Sequence, residues 1–162
     1  MIEKKIETAL NAQLNFELRS AYAYLAMSAY CEAESLPGFA HWLRTQSKEE
    51  LDHAMRFYNF IVDRGGRVAL SDLGQPKDAF TSPLEVFQES LENERAVSRA
   101  INDLYSLTST ENDYATQAFL NWFVTEQVEE EKTVEGIIDD LTRVGQSGEA
   151  LYLLDKDLGA RE

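Results

Sequence analysis

The sequence has little cysteine, proline or glycine, and it lacks long apolar runs. Its 162 residues include one cysteine, three prolines and eight glycines. The lone Cys31 excludes an intrachain disulfide framework and any multi-cysteine zinc or iron–sulfur module, and its apolar neighbourhood predicts a buried, inert thiol. No apolar stretch approaches the roughly 20 residues that span a bilayer, and the first residues lack the apolar core of a signal peptide. We therefore predict a cytoplasmic protein with no membrane partner.

Positive charge is also scarce. Fifteen lysines and arginines oppose 29 aspartates and glutamates, which gives a formal net charge of −14. Such a chain repels the phosphates of nucleic acid and of anionic membranes, so we predict neither as a partner. Cations are the natural partners, although acidity that only maintains solubility explains the charge equally well when charge is considered alone.

The low proline content and the abundance of Ala, Leu, Glu and Gln favour an all-α fold. Apolar residues recur at three- and four-residue spacing in four long segments, each of which predicts an amphipathic helix. The first covers about residues 3–33, the second runs from Phe39 to the stop at Gly65, the third opens at Ser82-Pro83, and the fourth follows a cap at Asn112.

The remaining segments define how these helices are connected. Residues from about 65 to 81 show no helical period and predict a long crossover between parallel helices. Gly136 within the fourth helix predicts a bend or a close helix contact. A short apolar helix, capped by Ser147 and ending near Leu158, must pack on another element to be stable. The sequence thus predicts one domain over residues 1–162, a four-helix bundle with one long crossover and a short fifth helix.

Four glutamates and one histidine occupy the core-facing stripe of these helices. Heptad steps place Glu17 in phase with Leu10 on the first helix and Glu94 in phase with Ile101 on the third. The second helix contributes Glu50 and, one turn later, His53, and the fourth contributes Glu130. Isolated carboxylates are costly to bury, so several of them in a bundle core indicate shared protons or a bound cation.

The number of these acids indicates two metal ions. Four glutamates carry four negative charges, which two divalent ions neutralise in a place where net charge is expensive. The Glu50-x-x-His53 pair has the i, i+3 spacing that di-iron and di-manganese bundles use, and Glu50 is the best bridging ligand. Carboxylates with a single imidazole suit Fe(II), Mn(II) or Zn(II). A lone Glu-x-x-His pair would more often be a solvated surface pair.

With these features the chain resembles a prokaryotic non-haem ferritin, and the resemblance runs almost from end to end. Its motifs are Glu17 in Asn-Phe-Glu-Leu, Tyr24, Lys-Glu-Glu-Leu-Asp-His over 48–53, Glu94, Asn-Trp-Phe-Val-Thr-Glu-Gln-Val-Glu-Glu-Glu-Lys over 121–132, and Gly-Glu-Ala-Leu-Tyr-Leu-Leu-Asp over 148–155. The resemblance implies that the predicted fold is a ferritin-like four-helix bundle, with one long crossover and a short fifth helix.

The resemblance also implies a role for each site residue. Glu17, Glu50 and His53 would hold the first iron, and Glu50, Glu94 and Glu130 the second. Gln127 would hydrogen-bond iron-bound oxygen species or water, and Tyr24 would donate to Glu94. The implied third iron site uses four acids, Glu49, Glu126, Glu129 and Glu130. Spacing alone describes Glu49, Glu126 and Glu129 as exposed acids of a helix face.

The implied activity is that of a ferroxidase, an iron-storage protein that oxidises Fe(II) to Fe(III) with oxygen or hydrogen peroxide. Two iron ions per subunit would bind at the centre, with a third at the neighbouring acids. Oxidised iron would be stored as a ferric mineral inside a hollow homo-oligomer of 24 subunits.

Two alternatives stay open. Bacterioferritin uses a second Glu-x-x-His motif and a haem-ligating methionine, whereas this chain has Gln127-x-x-Glu130 and Asp52 at the corresponding positions, so we predict no haem. A structural or iron-binding shell subunit without fast ferroxidase activity is the second alternative.

Overall fold

A computed structural model describes residues 2–162 and contains five helices. They are α1 (Lys4–Ala33), α2 (Pro37–Asp63), α3 (Pro83–Thr110), α4 (Tyr114–Val144) and α5 (Gly148–Leu158). No strand is present in these residues, which confirms the predicted all-α bundle with a short fifth helix. The same part of the chain contains no helix that is long and apolar enough to cross a membrane.

Two helical hairpins build the bundle. α1 packs mainly along α2, and α3 packs mainly along α4, while the segment between Asp63 and Pro83 connects the hairpins. Two buried asparagines of α1 fix the start of this crossover. Asn11 donates to the Arg67 carbonyl over 2.9 Å and accepts from the Ala69 amide over 2.7 Å, and Asn15 repeats the pattern one turn later. These side chains form hydrogen bonds with N–H and C=O groups of the crossover backbone, which lie outside any helix.

The helix caps agree with the sequence except at α4. Ser82 accepts from the Glu85 amide and caps α3 as predicted. The prediction that Asn112 caps α4 is wrong. Asn112 lies in the short α3–α4 connection, where it adopts a left-handed φ of 55°. Its neighbour Asp113 is the cap, accepting from the Thr116 amide and pairing with Arg64 at 3.0 Å. Asparagine tolerates the left-handed conformation, which the tight connection requires.

α5 packs against α2 and α4, as its apolar face requires. A buried carboxylate fixes it, since Asp155 Oδ1 accepts from the amides of Gly38 (2.8 Å) and Phe39 (3.0 Å) at the start of α2. A Cβ at Gly38 would lie 1.6 Å from the Asp155 carbonyl oxygen, so glycine is required there. A Cβ added at Gly136 would have no neighbour within 4 Å among residues 2–162, and the predicted close helix contact is therefore wrong.

The core of the described residues contains two apolar clusters at different levels of the bundle. One cluster includes Cys31, Phe39 and Phe87, and the other includes Leu10, Phe57 and Phe123. Cys31 is fully buried, as predicted, and burial raises the pKa of its thiol to about 12. Buried polar side chains separate the two clusters, and they form the site described next.

Candidate metal centre

Each long helix places one glutamate in this polar layer. Glu17 of α1 and Glu94 of α3 are completely buried, Glu50 of α2 is 1% exposed, and Glu130 of α4 is 7% exposed. His53, one turn after Glu50, is also buried. The inward orientation expected from helical phase is therefore found at all five positions, because each lies on the stripe that its helix turns toward the bundle axis.

The five side chains form two groups that share Glu50. Glu17, Glu50 and His53 bring one ligand atom each within 4.8 Å of one another, and so do Glu50, Glu94 and Glu130. Each group offers the donor types that suit divalent iron, manganese or zinc. Two groups that could each hold a metal ion thus share one carboxylate.

One carboxylate oxygen of the centre is unsatisfied. Glu17 Oε1 accepts from Gln13 over 2.8 Å, but Glu17 Oε2 is buried without a hydrogen-bond partner among residues 2–162. Such an atom is costly to bury unless a cation or proton meets it. The donor set and this orphaned oxygen both fit a bound metal ion.

Burial and mutual repulsion perturb the acids strongly. Burial, together with the charge of Glu50, raises the pKa of Glu17 to about 8 and that of Glu130 to about 7. The same two causes raise the pKa of Glu94 well above its ordinary value. Burial lowers the pKa of His53, but the hydrogen bond with Glu50 and the surrounding carboxylates outweigh it and raise the value to about 9. The centre therefore holds protons that a divalent cation would displace.

Two side chains orient Glu94. The Tyr24 hydroxyl donates to Glu94 Oε1, and burial raises the pKa of this phenol well above its usual range, so it remains a donor. Gln127 Nε2 lies 3.2 Å from Glu94 Oε2 and 3.1 Å from the Glu94 carbonyl oxygen. The sequence predicts both Tyr24 and Gln127 as site residues. They lie beside the group of ligands that contains Glu94, and not beside the group that contains Glu17.

Sequence reasoning missed two buried glutamines that hold the other acids. Gln13 donates to Glu17, and Gln46 donates to both Glu50 (2.9 Å) and Glu130 (2.8 Å). Each glutamine precedes a glutamate of the centre by four residues on the same helix, and this spacing puts the two side chains on one face. That repeated Gln-x-x-x-Glu spacing is the signal that could have found them.

The four acids expected to form a third site are only partly brought together. Glu126 approaches Glu130 and His53 closely enough to form a third possible ligand group, with its three atoms within 4.8 Å. Glu129 is exposed on α4. Glu49 is half-exposed and pairs instead with Arg161, whose Nη2 lies 2.6 Å from Glu49 Oε2.

Aromatic rings close the centre beside His53. The His53 ring meets Trp122 edge-on at a centroid distance of 5.3 Å and Phe123 at 6.0 Å. Arg56 stacks over Trp122, with its Cζ 3.7 Å from the ring centroid. These contacts fix the orientation of the imidazole and restrict solvent on that side.

Comparison with known proteins finds relatives over nearly the full length of the chain. Residues 7–144 match the family model described as Ferritin-like domain. The bacterial non-heme ferritin of Staphylococcus aureus (strain USA300) is 47% identical over 161 residues, which are 99% of this chain and 97% of that protein. The bacterial non-heme ferritin of Staphylococcus epidermidis (strain RP62A) is 47% identical with the same coverage.

Solved structures give the same result. An open-pore ferritin from the hyperthermophilic archaeon Archaeoglobus fulgidus superimposes with a TM-score of 0.99 at 42% identity, covering 100% of both chains. A closed form of the Archaeoglobus fulgidus ferritin, engineered by site-directed mutagenesis, gives the same score and identity over 100% of this chain and 99% of that one. Sequence and fold agree over nearly the whole chain, and the protein belongs to the ferritin family.

Proposed function

We propose that this ferritin stores iron after oxidising Fe(II) to Fe(III) at the buried centre, which makes it a ferroxidase. The observation that carries the proposal is the pair of ligand groups that share Glu50, one of which contains the unpartnered oxygen of Glu17. A structural polar layer would satisfy that oxygen with a donor from the chain. Cation binding explains both the number of acids and the unsatisfied atom.

In this proposal, Glu17, Glu50 and His53 bind the first Fe(II), and Glu50, Glu94 and Glu130 bind the second. Carboxylate ligands stabilise the additional charge of Fe(III) and still release the ion, because they are hard but labile donors. Tyr24 and Gln127 keep Glu94 oriented between its two donors. The oxidant, oxygen or hydrogen peroxide, would approach beside the Gln127 amide.

We further propose that a third iron ion binds next to the centre, at Glu49, Glu126, Glu129 and Glu130. The approach of Glu126 to Glu130 and His53 supports this site. Oxidised iron would move past these acids into the cavity of a homo-oligomeric cage of 24 subunits and remain there as ferric mineral. Asp52 provides no thioether on α2, which is consistent with a protein that binds no haem.

Rapid mixing of the metal-free protein with two Fe(II) per subunit in air tests the ferroxidase. We expect ferric absorbance to appear much faster than in buffer alone. Glu94→Ala removes a buried ligand and should slow this fast phase by at least about tenfold. Glu92→Ala, an exposed acid two residues earlier on α3, is the matched control and should leave the rate unchanged.

Iron oxidation by the wild-type protein no faster than in buffer would overturn the ferroxidase. If iron were still retained inside the particle, that result would favour the alternative of a storage shell subunit without fast ferroxidase activity. Equal rates for Glu94→Ala and the wild type would show that oxidation occurs elsewhere on the protein.

A further inference from the structure

The chain beyond α5 returns to the metal centre. Arg161 lies against α2, where its guanidinium contacts Glu49 Oε2 at 2.6 Å, Gln46 Oε1 at 3.0 Å and the Trp42 carbonyl oxygen at 3.3 Å. Its Cζ also stacks 4.4 Å from the centroid of the Trp42 ring. A terminal side chain with four such contacts is held in one place, although the segment itself is short.

The backbone near Arg161 is fixed as well. His41 Nε2 lies 2.7 Å from the Arg161 carbonyl oxygen. Six residues earlier, the buried Asp155 carboxylate binds the first amides of α2. These two attachments hold the end of the chain along the N-terminal half of α2, so the guanidinium has a high local concentration at Glu49.

Gln46 connects this arginine to the buried ligands. Its Oε1 accepts from Arg161, while its Nε2 donates to Glu50 and Glu130. Turning the amide over would place its oxygen against two carboxylates and its NH₂ against a guanidinium, which is unfavourable at both ends. The guanidinium therefore lies one side chain away from the two groups of ligands, on their outer side.

We propose that Arg161 is a cation supplied by the chain to the outer side of the centre, where it competes with a third metal ion for Glu49. This inference rests on the proposed metal centre and extends it to a residue outside the four-helix bundle. While the ion pair is formed, Glu49 Oε2 is occupied and the third site retains only the acids of α4. A metal ion that binds Glu49 must displace the guanidinium and also meets its repulsion.

The consequence is that the C-terminal segment determines how long a third ion stays. A weakened outer site favours onward release of iron, because an ion held by fewer acids leaves more readily. The two buried sites do not use Glu49, so they should respond only through Gln46, which donates to Glu50 and Glu130, and should keep both ions. Arg161 is in this sense a positioning residue for Gln46 and a determinant of affinity at the outer site, and not a catalytic residue.

Binding of Zn(II), which is not oxidised, tests the proposal without any measurement of iron oxidation. Equilibrium dialysis of the metal-free cage across free Zn(II) gives the number and affinity of ions per chain, and anomalous diffraction from Zn(II)-soaked crystals locates them. We expect two tight ions per chain in all proteins compared. In Arg161→Gln the ion beside Glu126 and Glu130 should bind at least about fivefold more tightly than in the wild type.

Three further variants separate the local effect from general charge and folding. Arg143→Gln removes an exposed arginine that pairs with Asp140 at 3.6 Å, and should bind the third ion like the wild type. Arg161→Lys keeps the charge and should stay nearer to the wild type than Arg161→Gln does. In a Glu49→Gln background, Arg161→Gln should tighten the third ion less than it does in the wild type, since the shared carboxylate is gone and only the repulsion of the guanidinium is removed.

Arg161→Gln could keep both tight ions but bind the third ion no more tightly than the wild type, or not at all. That result would overturn the proposed role of Arg161 and leave the proposed metal centre standing. Equal tightening in Arg143→Gln would also overturn this role, because the cause would then be net charge. Absence of the two tight ions from the wild type would instead overturn the proposed metal centre. The melting temperature of each metal-free variant shows whether it is folded.

Discussion

At the scale of single residues, the buried acids of the candidate centre lower the stability of the metal-free protein. Glu17 is fully buried, and one of its oxygens has no partner among residues 2–162. Ionising this carboxylate without a cation is unfavourable, which is why burial raises its pKa to about 8. A metal ion bound at the proposed site would displace this proton.

The metal-free protein should therefore lose stability as pH rises. The folded chain retains protons on Glu17 (pKa about 8) and His53 (pKa about 9) that the unfolded chain releases near 4.5 and 6.5. Because the folded state then binds more protons, its free energy of unfolding falls between about pH 5 and pH 9. Scanning calorimetry of metal-free protein at a series of pH values measures this slope.

Glu17→Gln should flatten that slope, since glutamine is uncharged at every pH in the range. At pH 9 we expect a gain in the free energy of unfolding of roughly 1 to 3 kcal/mol relative to the wild type, with loss of one tight metal ion. Glu92→Gln, which neutralises an exposed acid, is the control and should change stability by less than about 0.5 kcal/mol. A variant that loses stability at pH 9 would contradict the idea that Glu17 is uncompensated.

His53 supplies the only imidazole among the ligand groups found in residues 2–162. His53→Ala should remove one of the two tight Zn(II) ions per chain, because only Glu17 and Glu50 remain as ligands in the group that contains the histidine. Asp52→Ala, the exposed neighbour, should retain both ions. Equilibrium dialysis gives the counts, and two tight ions in His53→Ala would exclude the histidine as a ligand.

Helical phase was enough to predict that Glu17, Glu50, His53, Glu94 and Glu130 point inward, since each shares a stripe with apolar residues of the same helix. It did not predict Gln46, because a buried glutamine resembles an exposed one until its partners on other helices are known. It could not predict Arg161 at Glu49 either, because that contact depends on how α5 docks on α2. Which side chains bind metal stays a prediction.

At the scale of elements, the docking of α5 depends on close backbone contact. Gly38 lies under the Asp155 carbonyl, and Gly159 would bring a Cβ within 3.2 Å of Gly38 Cα. The sequence predicts a short apolar helix that needs a neighbour, but its position depends on these two glycines and one carboxylate. The amphipathic pattern identifies the apolar face of a helix. Contacts between distant parts of the chain, such as that of Asp155 with the first amides of α2, determine which element this face packs against.

Gly38→Ala should separate α5 from α2. A methyl group 1.6 Å from a backbone oxygen cannot be accommodated by moving a side chain alone, so the backbones must part. We expect a loss of roughly 1 to 3 kcal/mol in the free energy of unfolding and, because Arg161 then leaves Glu49, tighter binding of a third Zn(II). Calorimetry and equilibrium dialysis measure the two effects.

Gly136→Ala is the matched control for that substitution. No atom in the described part of the chain lies within 4 Å of a Cβ at this position, and alanine is the better helix former. We expect it to stabilise the protein by roughly 0.5 to 1 kcal/mol and to leave Zn(II) binding unchanged. Destabilisation in both variants would show that added volume, and not the contact at Asp155, is what the fold resists.

At the scale of the whole molecule, one face of the α1–α2 hairpin is apolar and exposed. Its large side chains are Tyr22, Leu25, Leu51, Met55, Tyr58 and Val62, each between 39% and 52% exposed. Soluble monomers seldom leave so many large apolar groups contiguous, and the high negative charge elsewhere makes this face the natural place for association. It is consistent with the proposed homo-oligomer.

Leu51→Glu should disrupt that assembly. Leu51 is 47% exposed and lies with Leu25 and Leu73 around a groove of about 270 Å³. A carboxylate buried there in a subunit contact would lose its hydration, and Lys48 at the edge of the groove would offset this cost only in part. We expect size-exclusion chromatography with light scattering to show particles smaller than the wild-type cage, and their helical content to stay the same because the bundle core is untouched. Gln75→Glu adds the same charge in the exposed crossover and should leave the cage intact. A Leu51→Glu particle of wild-type mass and melting temperature would remove this face from the assembly, and a wild-type mass of 18.4 kDa would contradict the homo-oligomer itself.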